Sequence, residues 1–166
     1  MQELFRKLAD YNHWANRQLV ECMLALPEED WTKELPSSFR GLMPTLVHIW
    51  DAESIWWQRV RMHDQLLVPS REFHPDFRGA CNGWLEQSRL WVAYCAHSLN
   101  KASLVSNLQY RNTQGNAFSQ PLWQVLTHIF NHATYHRGQL VTIMRQLGVE
   151  KIPQTDFIYF AKAFPF

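Results

Sequence analysis

Hydrophobic side chains recur along this chain at the spacing of amphipathic helices. In residues 2–26 they return every three or four positions, and Pro27 ends the pattern. The same period predicts four long helices and one short one, over residues 2–26, 42–62, 76–99, 122–147 and 156–163. Asp76 is the expected N-cap of the third helix, and Gly148 is the expected C-cap of the fourth. Four long helices joined by moderate loops predict an all-α four-helix bundle.

The helical period is interrupted between residues 103 and 120. Residues 104–110 alternate between apolar and polar side chains, and the turn-forming sequence NTQGN follows them. This pattern predicts a small β-hairpin inserted before the last long helix. Ser119 is then the expected N-cap of that helix, with Pro121 near its first position.

The composition fits one globular domain that spans residues 1–166. Apolar residues make up 46% of the chain and aromatic residues 14%, which favours a dense core. The net charge is +1 and no run of Lys or Arg occurs, so the chain has no electrostatic footprint for nucleic acid or an anionic membrane. No apolar run is long enough to span a bilayer, and the first residues do not resemble a signal peptide. The three cysteines lack a CxxC spacing and indicate reduced thiols in a cytoplasmic protein.

The last long helix carries three histidines, His128, His132 and His136, each four residues after the one before. Residues four apart lie one turn apart on one helix face, and two imidazoles so placed can bind one metal ion. At 100° per residue, His136 lies about 20° from the centre of the apolar face, His132 about 60° and His128 about 100°. His132 and His136 are therefore the best pair of ligands. His128 is a further ligand, a neighbour of the ligands or a surface residue, in that order of preference.

A third ligand is predicted from the second helix, where His48 interrupts an almost continuous apolar surface. Asp51 follows one turn later, either as a hydrogen-bond partner of His48 or as an exposed residue, and it is a candidate catalytic group. Three neutral imidazoles suit zinc, nickel, iron or copper better than magnesium or calcium. Three protein ligands also leave room for water or a substrate, which is typical of catalytic sites.

Three segments of the chain resemble the DinB/YfiT-like family of metal-binding helical bundles. They are YNHWANRQL in the first helix, LVHIWDAE in the second and NHATYHRGQL in the last. The resemblance implies an up-down-down-up bundle in which three histidines, matching His48, His132 and His136, bind a divalent metal, often nickel or zinc. It further implies a homodimer. Relatives include thiol-dependent enzymes such as mycothiol-dependent maleylpyruvate isomerase and bacillithiol S-transferases. The chain has two more histidines, His13 and His128, beyond the three that match the family's ligands. The resemblance therefore leaves open whether one further histidine belongs to the ligand set.

The two residues that directly follow His136 are Arg137 and Gly138, and each allows a further prediction. Arg137 either binds a substrate carboxylate in a bidentate manner or forms a structural ion pair with Asp51 or Glu53. Gly138 lies in mid-helix, where it costs stability relative to Ala, so we expect close helix packing to require it.

The sequence therefore predicts a metal-dependent transferase or hydrolase that acts on a small electrophilic molecule. Water or a low-molecular-weight thiol is the expected nucleophile, because a bound metal ion makes either one more acidic. The alternative is a non-catalytic, stress-related dimeric protein that binds metal.

Overall fold

A computed structural model of the protein describes residues 1–112 and 114–165. This part of the chain is mostly helical and has one two-stranded antiparallel sheet, which confirms the all-α class with a small hairpin. Thr113, which falls in the predicted turn, and Phe166 lie outside the described residues. The elements in chain order are α1 Gln2–Leu24, α2 Glu28–Trp31, α3 Leu42–Val60, α4 Pro69–Phe73, α5 Phe77–His97, α6 Lys101–Val105, β1 Asn107–Arg111, β2 Ala117–Pro121, α7 Leu122–Gln146 and α8 Phe157–Ala163.

The four long helices form the bundle, with α1 and α3 each packed against both α5 and α7. The start of α1 meets the end of α5, where Gln2 donates a hydrogen bond to the carbonyl of Leu99. In contrast, α3 and α5 run in parallel, since their N-terminal halves share one core cluster and their C-terminal halves share the other. With α7 antiparallel to α3, the helix directions are up, down, down and up.

The core is divided between the two ends of the bundle. One cluster gathers the C-terminal half of α1, the N-terminal halves of α3 and α5, and the C-terminal half of α7 around Trp84. The other cluster gathers the opposite halves around Trp91, and the hairpin joins it through Leu108. Along α7 one cluster ends at Phe130 and the other begins at Ala133, so His132 lies where they meet. Burial at both ends therefore determines which face of α7 points into the bundle.

The predicted hairpin begins later than the alternating pattern suggests, because residues 101–105 form α6. The Asn100 side chain accepts a hydrogen bond from the Ser103 amide, and the Ser103 hydroxyl accepts one from the Asn100 amide. This reciprocal capping satisfies two backbone amides and stabilises a helical turn. The strand prediction for Leu104 and Val105 was therefore wrong, and the strands pair only from Asn107.

The N-cap of α7 is Pro121, not Ser119 as predicted. Ser119 lies inside β2, opposite Gln109, so the hairpin ladder holds it two residues before the helix. The backbone amide of Leu122, the first residue of α7, donates a hydrogen bond to the carbonyl of Ser106. The hairpin is thus hydrogen-bonded directly to the N-terminus of the helix that carries the histidines.

The other predicted boundaries differ from the structure by a few residues. Asp76 caps α5 as expected, accepting a hydrogen bond of 2.6 Å from the amide of Gly79. At the other end of α7, Leu147 is the C-cap and Gly148 follows with a φ of +87°, which favours glycine. The first helix ends at Leu24 and the second at Val60, and the connections after them contain the short helices α2 and α4.

None of the helices in residues 1–112 and 114–165 combines the length and the hydropathy that crossing a bilayer requires.

Two mid-helix glycines differ in what surrounds them. A Cβ atom at Gly83 in α5 would overlap the Trp50 ring of α3, so close packing requires glycine there. A Cβ atom at Gly138 in α7 would meet no other atom within 4 Å. The expectation that close packing within the chain explains Gly138 was therefore wrong.

We predict that Gly83→Ala and Gly138→Ala change stability in opposite directions. Gly83→Ala should lower the free energy of unfolding by about 1–3 kcal/mol, because the indole of Trp50 has to move. Gly138→Ala should raise it by up to about 1 kcal/mol through helix propensity. Urea unfolding of the two variants and the wild type measures both effects, and an equal change in the two variants would contradict the packing described here.

Candidate metal centre

Three histidines from two antiparallel helices converge on one point. His48 of α3 faces His132 of α7, with 3.3 Å between their Nε2 atoms. The Nε2 atom of His136, one turn further along α7, lies 3.1 Å from that of His132. In the described part of the chain these residues form the group of potential ligands whose donor atoms all lie within 4.8 Å of one another.

The spacing of the three nitrogens fits the requirements of a metal site. Tetrahedral Zn–N bonds of roughly 2.0–2.1 Å place ligand nitrogens about 3.3 Å apart, close to both observed distances. Imidazole nitrogen is a ligand that zinc, nickel, copper and iron accept. The three histidines thus fit a divalent metal ion, and their number leaves coordination positions for water or a substrate.

Gln139 fixes the orientation of the His136 ring. Its side-chain oxygen lies 2.7 Å from Nδ1 of His136, and an amide oxygen only accepts hydrogen bonds. This contact assigns the proton of neutral His136 to Nδ1 and leaves the Nε2 lone pair directed towards the other two histidines. The amide nitrogen of Gln139 donates to Ser38 at 3.1 Å, which connects α7 to the loop between α2 and α3.

Burial lowers the pKa of two imidazoles at the centre, His48 and His132. Burial, reinforced by the neighbouring histidines, lowers the pKa of His132 to about 4. The pKa of His48 is also lowered, first by burial and then by His136, against a smaller opposing effect of Asp51. Neutral imidazole is the form that binds metal, so these two side chains are ready to act as ligands at neutral pH.

The loop between α2 and α3 covers one side of the centre with Phe39. The ring of Phe39 stacks on His48 at 4.2 Å between centroids and meets His136 edge-on at 5.5 Å. Phe39 shields two of the three imidazoles from water on that side.

His128 lies apart from the other three histidines. Its side chain is exposed, whereas His132 is half-buried and His136 is 6% exposed, an order that follows the helical phasing. The ring of His128 is 5.6 Å from that of His132 and meets Trp56 edge-on at 5.3 Å. Arg59 in turn lies over the Trp56 ring at 4.6 Å. His128 thus begins an aromatic surface that leads away from the three converging imidazoles.

Asp51 contacts the short helix α4 and none of the converging histidines. One carboxylate oxygen of Asp51 accepts a hydrogen bond from the Ser70 amide at 2.9 Å, and the other accepts one from the Ser70 hydroxyl at 2.5 Å. Both oxygens therefore anchor α4 to α3. A catalytic role for Asp51 stays a prediction.

Arg137 lies in a buried polar network between the helices. Its guanidinium donates to the side-chain oxygens of Asn12 and Asn16 in α1 and to the Thr134 hydroxyl. The amide groups of the same two asparagines donate to Oε1 of Glu53, as Trp84 does. Arg137 and Glu53 are therefore joined through two amides rather than in direct contact. The predicted ion pair of Arg137 with Asp51 or Glu53 is not formed among the described residues, and substrate binding by Arg137 stays a prediction.

The thiols of the chain are unsuited to act as nucleophiles. Burial raises the pKa of Cys81 and of Cys95 to about 12. Burial also raises the pKa of Cys22, which is half-buried. A thiol nucleophile, if one is used, has to come from outside the chain.

Comparison with known proteins identifies the family. The model of the DinB family matches residues 1–163. The chain belongs to the DinB family. The protein DinB of Bacillus subtilis strain 168 is 27% identical over 162 residues, covering 95% of this chain and 93% of its relative. The crystal structure of a DinB-like protein from Bacillus cereus ATCC 10987 superimposes with a TM-score of 0.62 at 16% identity, covering 84% of this chain and 89% of the other, and so supports the fold.

Sequence analysis missed two residues of the centre, Gln139 and Phe39. Gln139 follows His136 by three positions, and this helical spacing is a signal that could have paired the two side chains. Phe39 belongs to an irregular loop without periodicity, so nothing in the sequence connects it with His48.

We predict that Arg137→Ala lowers the free energy of unfolding by about 3 kcal/mol or more, because the buried side-chain oxygens of Asn12 and Asn16 lose their charged donor. Arg145→Ala is the matched control on the same helix, where the side chain is exposed and the change should stay within about 0.5 kcal/mol. Urea unfolding measures both variants. Equal stabilities would show that the buried network contributes nothing specific.

We predict that Gln139→Ala weakens zinc binding by about 10–100-fold, because His136 loses the acceptor that orients it. Gln139→Glu keeps an acceptor at the same place and should restore most of the affinity. Thr142→Ala, one turn further along α7, serves as the control. A zinc titration with a competing chelator measures the affinities, and an unchanged affinity in Gln139→Ala would contradict this role.

Proposed function

We propose that His48, His132 and His136 bind one divalent metal ion and that the loaded protein is an enzyme acting on a small electrophilic substrate. The observation that supports this most directly is the spacing of the three Nε2 atoms, at 3.3 and 3.1 Å. Nickel and zinc are the ions we expect, and iron and copper suit the same ligands. The proposed reaction is the transfer or hydrolysis of a group.

A divalent ion at this position would act as a Lewis acid and lower the pKa of a coordinated water or thiol, giving a nucleophile at neutral pH. The chain's own residues would position the reactants. Gln139 would hold the ring of His136 in its binding orientation, and Phe39 would exclude water on one side. Trp56 and Tyr110, whose rings lie 4.9 Å apart, would offer the substrate an aromatic surface beyond His128.

The proposed cosubstrate is a low-molecular-weight thiol, as the resemblance to thiol-dependent relatives implies. The buried state of Cys81 and Cys95 supports an external source for any thiol nucleophile. All three cysteines are free, in keeping with the reducing cytoplasm in which we expect the protein to act. A homodimer is the oligomeric state we expect, which sedimentation velocity would test.

A non-catalytic metal-binding function is the second candidate, and the position of Phe39 favours it. A ring stacked on His48 limits the approach of a substrate from that side. Phe39→Ala separates the two functions, since it should raise turnover if the ring hinders access and leave metal binding unchanged in either case.

We predict that replacing His48, His132 or His136 with Ala weakens zinc or nickel binding by at least about 100-fold, because one of three ligands is lost. His128→Ala is the matched control and should bind one metal ion per chain, as the wild type does. Elemental analysis of the purified proteins and metal titration check this. Stoichiometric metal in all three ligand variants would refute the proposed site.

We predict that the metal-loaded protein consumes small electrophiles, such as an epoxide, an activated ester or an alkyl halide, with water or an added thiol. The His132→Ala variant should lose this activity along with its metal, whereas His128→Ala should keep most of it. Turnover is measured with and without thiol to separate transfer from hydrolysis. No turnover by loaded protein across such a panel would support the non-catalytic function.

A further inference from the structure

A cavity of about 620 Å³ lies on the face of α7 opposite the histidines. Its walls come from α1, from α7 and from residues 152–157, which lead into the first residue of α8. Thr134, a lining residue, is two positions from both His132 and His136, so at 100° per residue it points about 160° away from each. The cavity is therefore separate from the candidate metal centre, and its size is that of small-molecule sites.

The cavity has a fixed outer wall. The Tyr11 hydroxyl donates a hydrogen bond of 2.8 Å to the carbonyl of Thr155. The Phe157 ring meets the Tyr11 ring edge-on at 5.2 Å. Phe160 of α8 is 4% exposed and packs with Tyr11 and Ala15. These contacts hold the segment before α8 against the bundle, so the cavity is bounded on both sides by packed structure.

The charged groups of the cavity favour a singly charged anion. Arg137 and Arg145 contribute two positive charges and Asp156 one negative charge, so the lining residues carry a net charge of +1. The exposed Arg145 forms no ion pair among the described residues. Arg137 is buried, and its direct hydrogen-bond partners are the neutral side chains of two asparagines and Thr134. Arg137 therefore contributes positive charge to the cavity wall, and the guanidinium of Arg145 is the group that can bind a carboxylate.

Part of the remaining lining is apolar, beside polar side chains such as Asn131 and Gln154. Leu8, Val141, Ile152 and Phe157 contribute hydrocarbon or aromatic surface beside the two arginines. A small anion without a body, such as phosphate, would leave this surface in contact with water. The combination suits an amphipathic ligand that has one carboxylate and an apolar body.

Gly138 is the independent observation that points to an occupant. It lies in the middle of α7, where glycine costs about 1 kcal/mol relative to alanine. Apart from its two chain neighbours and the backbone of its own helical turns, no atom of the described chain comes within 4 Å of the place where its Cβ would be, and it borders the cavity. Packing within the chain does not require glycine here, whereas a side chain would take up space at the edge of the cavity.

We propose that this cavity binds a small monocarboxylate with an apolar body. The carboxylate of the ligand lies at Arg145, on the side of the cavity that Arg137 makes positive. The apolar body of the ligand lies against Val141 and Phe157. Gly138 keeps the space beside α7 open for it. This second site is independent of the function proposed for the metal centre.

Calorimetric titration of the full-length protein with octanoate tests the proposal, with octanamide as the neutral probe of matched shape. We expect octanoate to bind one to one and octanamide to bind at least about tenfold more weakly, because a charged hydrogen bond is lost. Arg145→Gln should weaken octanoate binding about tenfold and leave octanamide unchanged. Arg71→Gln, an exposed arginine of α4, is the matched control and should have no effect.

Two further variants test whether octanoate binds in this cavity. Gly138→Leu should abolish the binding of both probes while its urea unfolding shows a stability at least equal to that of the wild type. His132→Ala should bind octanoate as the wild type does, which separates this cavity from the metal centre. The proposal is overturned if octanoate does not bind, if octanamide binds equally well, if Gly138→Leu binds octanoate normally, or if His132→Ala abolishes binding.

Discussion

The rotation of the four long helices about their axes depends on one buried polar network. Glu53 of α3 accepts hydrogen bonds from Asn12 and Asn16 of α1 and from Trp84 of α5. Arg137 of α7 donates to the same two asparagines. The network therefore contacts every long helix at one level of the bundle. Apolar packing tolerates small rotations of a helix, but a buried carboxylate and a buried guanidinium lose their partners if either helix turns.

The geometry of the candidate metal centre depends on this network. His136 is the residue before Arg137, and His48 lies five residues before Glu53. Once Glu53 and Arg137 face the interior, α3 and α7 present His48 and His136 along the adjacent edge of their contact. The ring of His136 then needs only the final orientation that Gln139 provides. Burial at the same place keeps Glu53 costly to ionise, since desolvation raises its pKa against the opposing hydrogen bonds and the charge of Arg137.

Periodicity predicted the features of the fold that depend on side-chain burial alone. The four long helices, the hairpin and the unequal burial of His128, His132 and His136 all followed from apolar spacing. Capping at Asn100 overrode the alternating pattern of the next residues, because two hydrogen bonds formed within three residues outweigh a weak strand preference. Two contacts join segments that are distant in sequence. One is the stacking of Phe39 on His48, and the other is the link between Glu53 and Arg137 through the two asparagine amides. A single sequence carries no signal for such contacts, which exist only once the helices pack.

This coupling changes how substitutions in α7 should be interpreted. Arg137 adjoins a proposed ligand and lines the separate cavity, so a loss of activity in an Arg137 variant would arise equally from a displaced histidine or from an emptied cavity. The metal content of the variant separates these causes, because a rotated α7 would move His132 and His136 together and weaken metal binding. A variant that keeps its metal and its stability, yet loses a ligand, identifies a direct contact. The same reasoning applies to Glu53, whose side chain reaches α1 and α5 but neither the histidines nor the cavity lining.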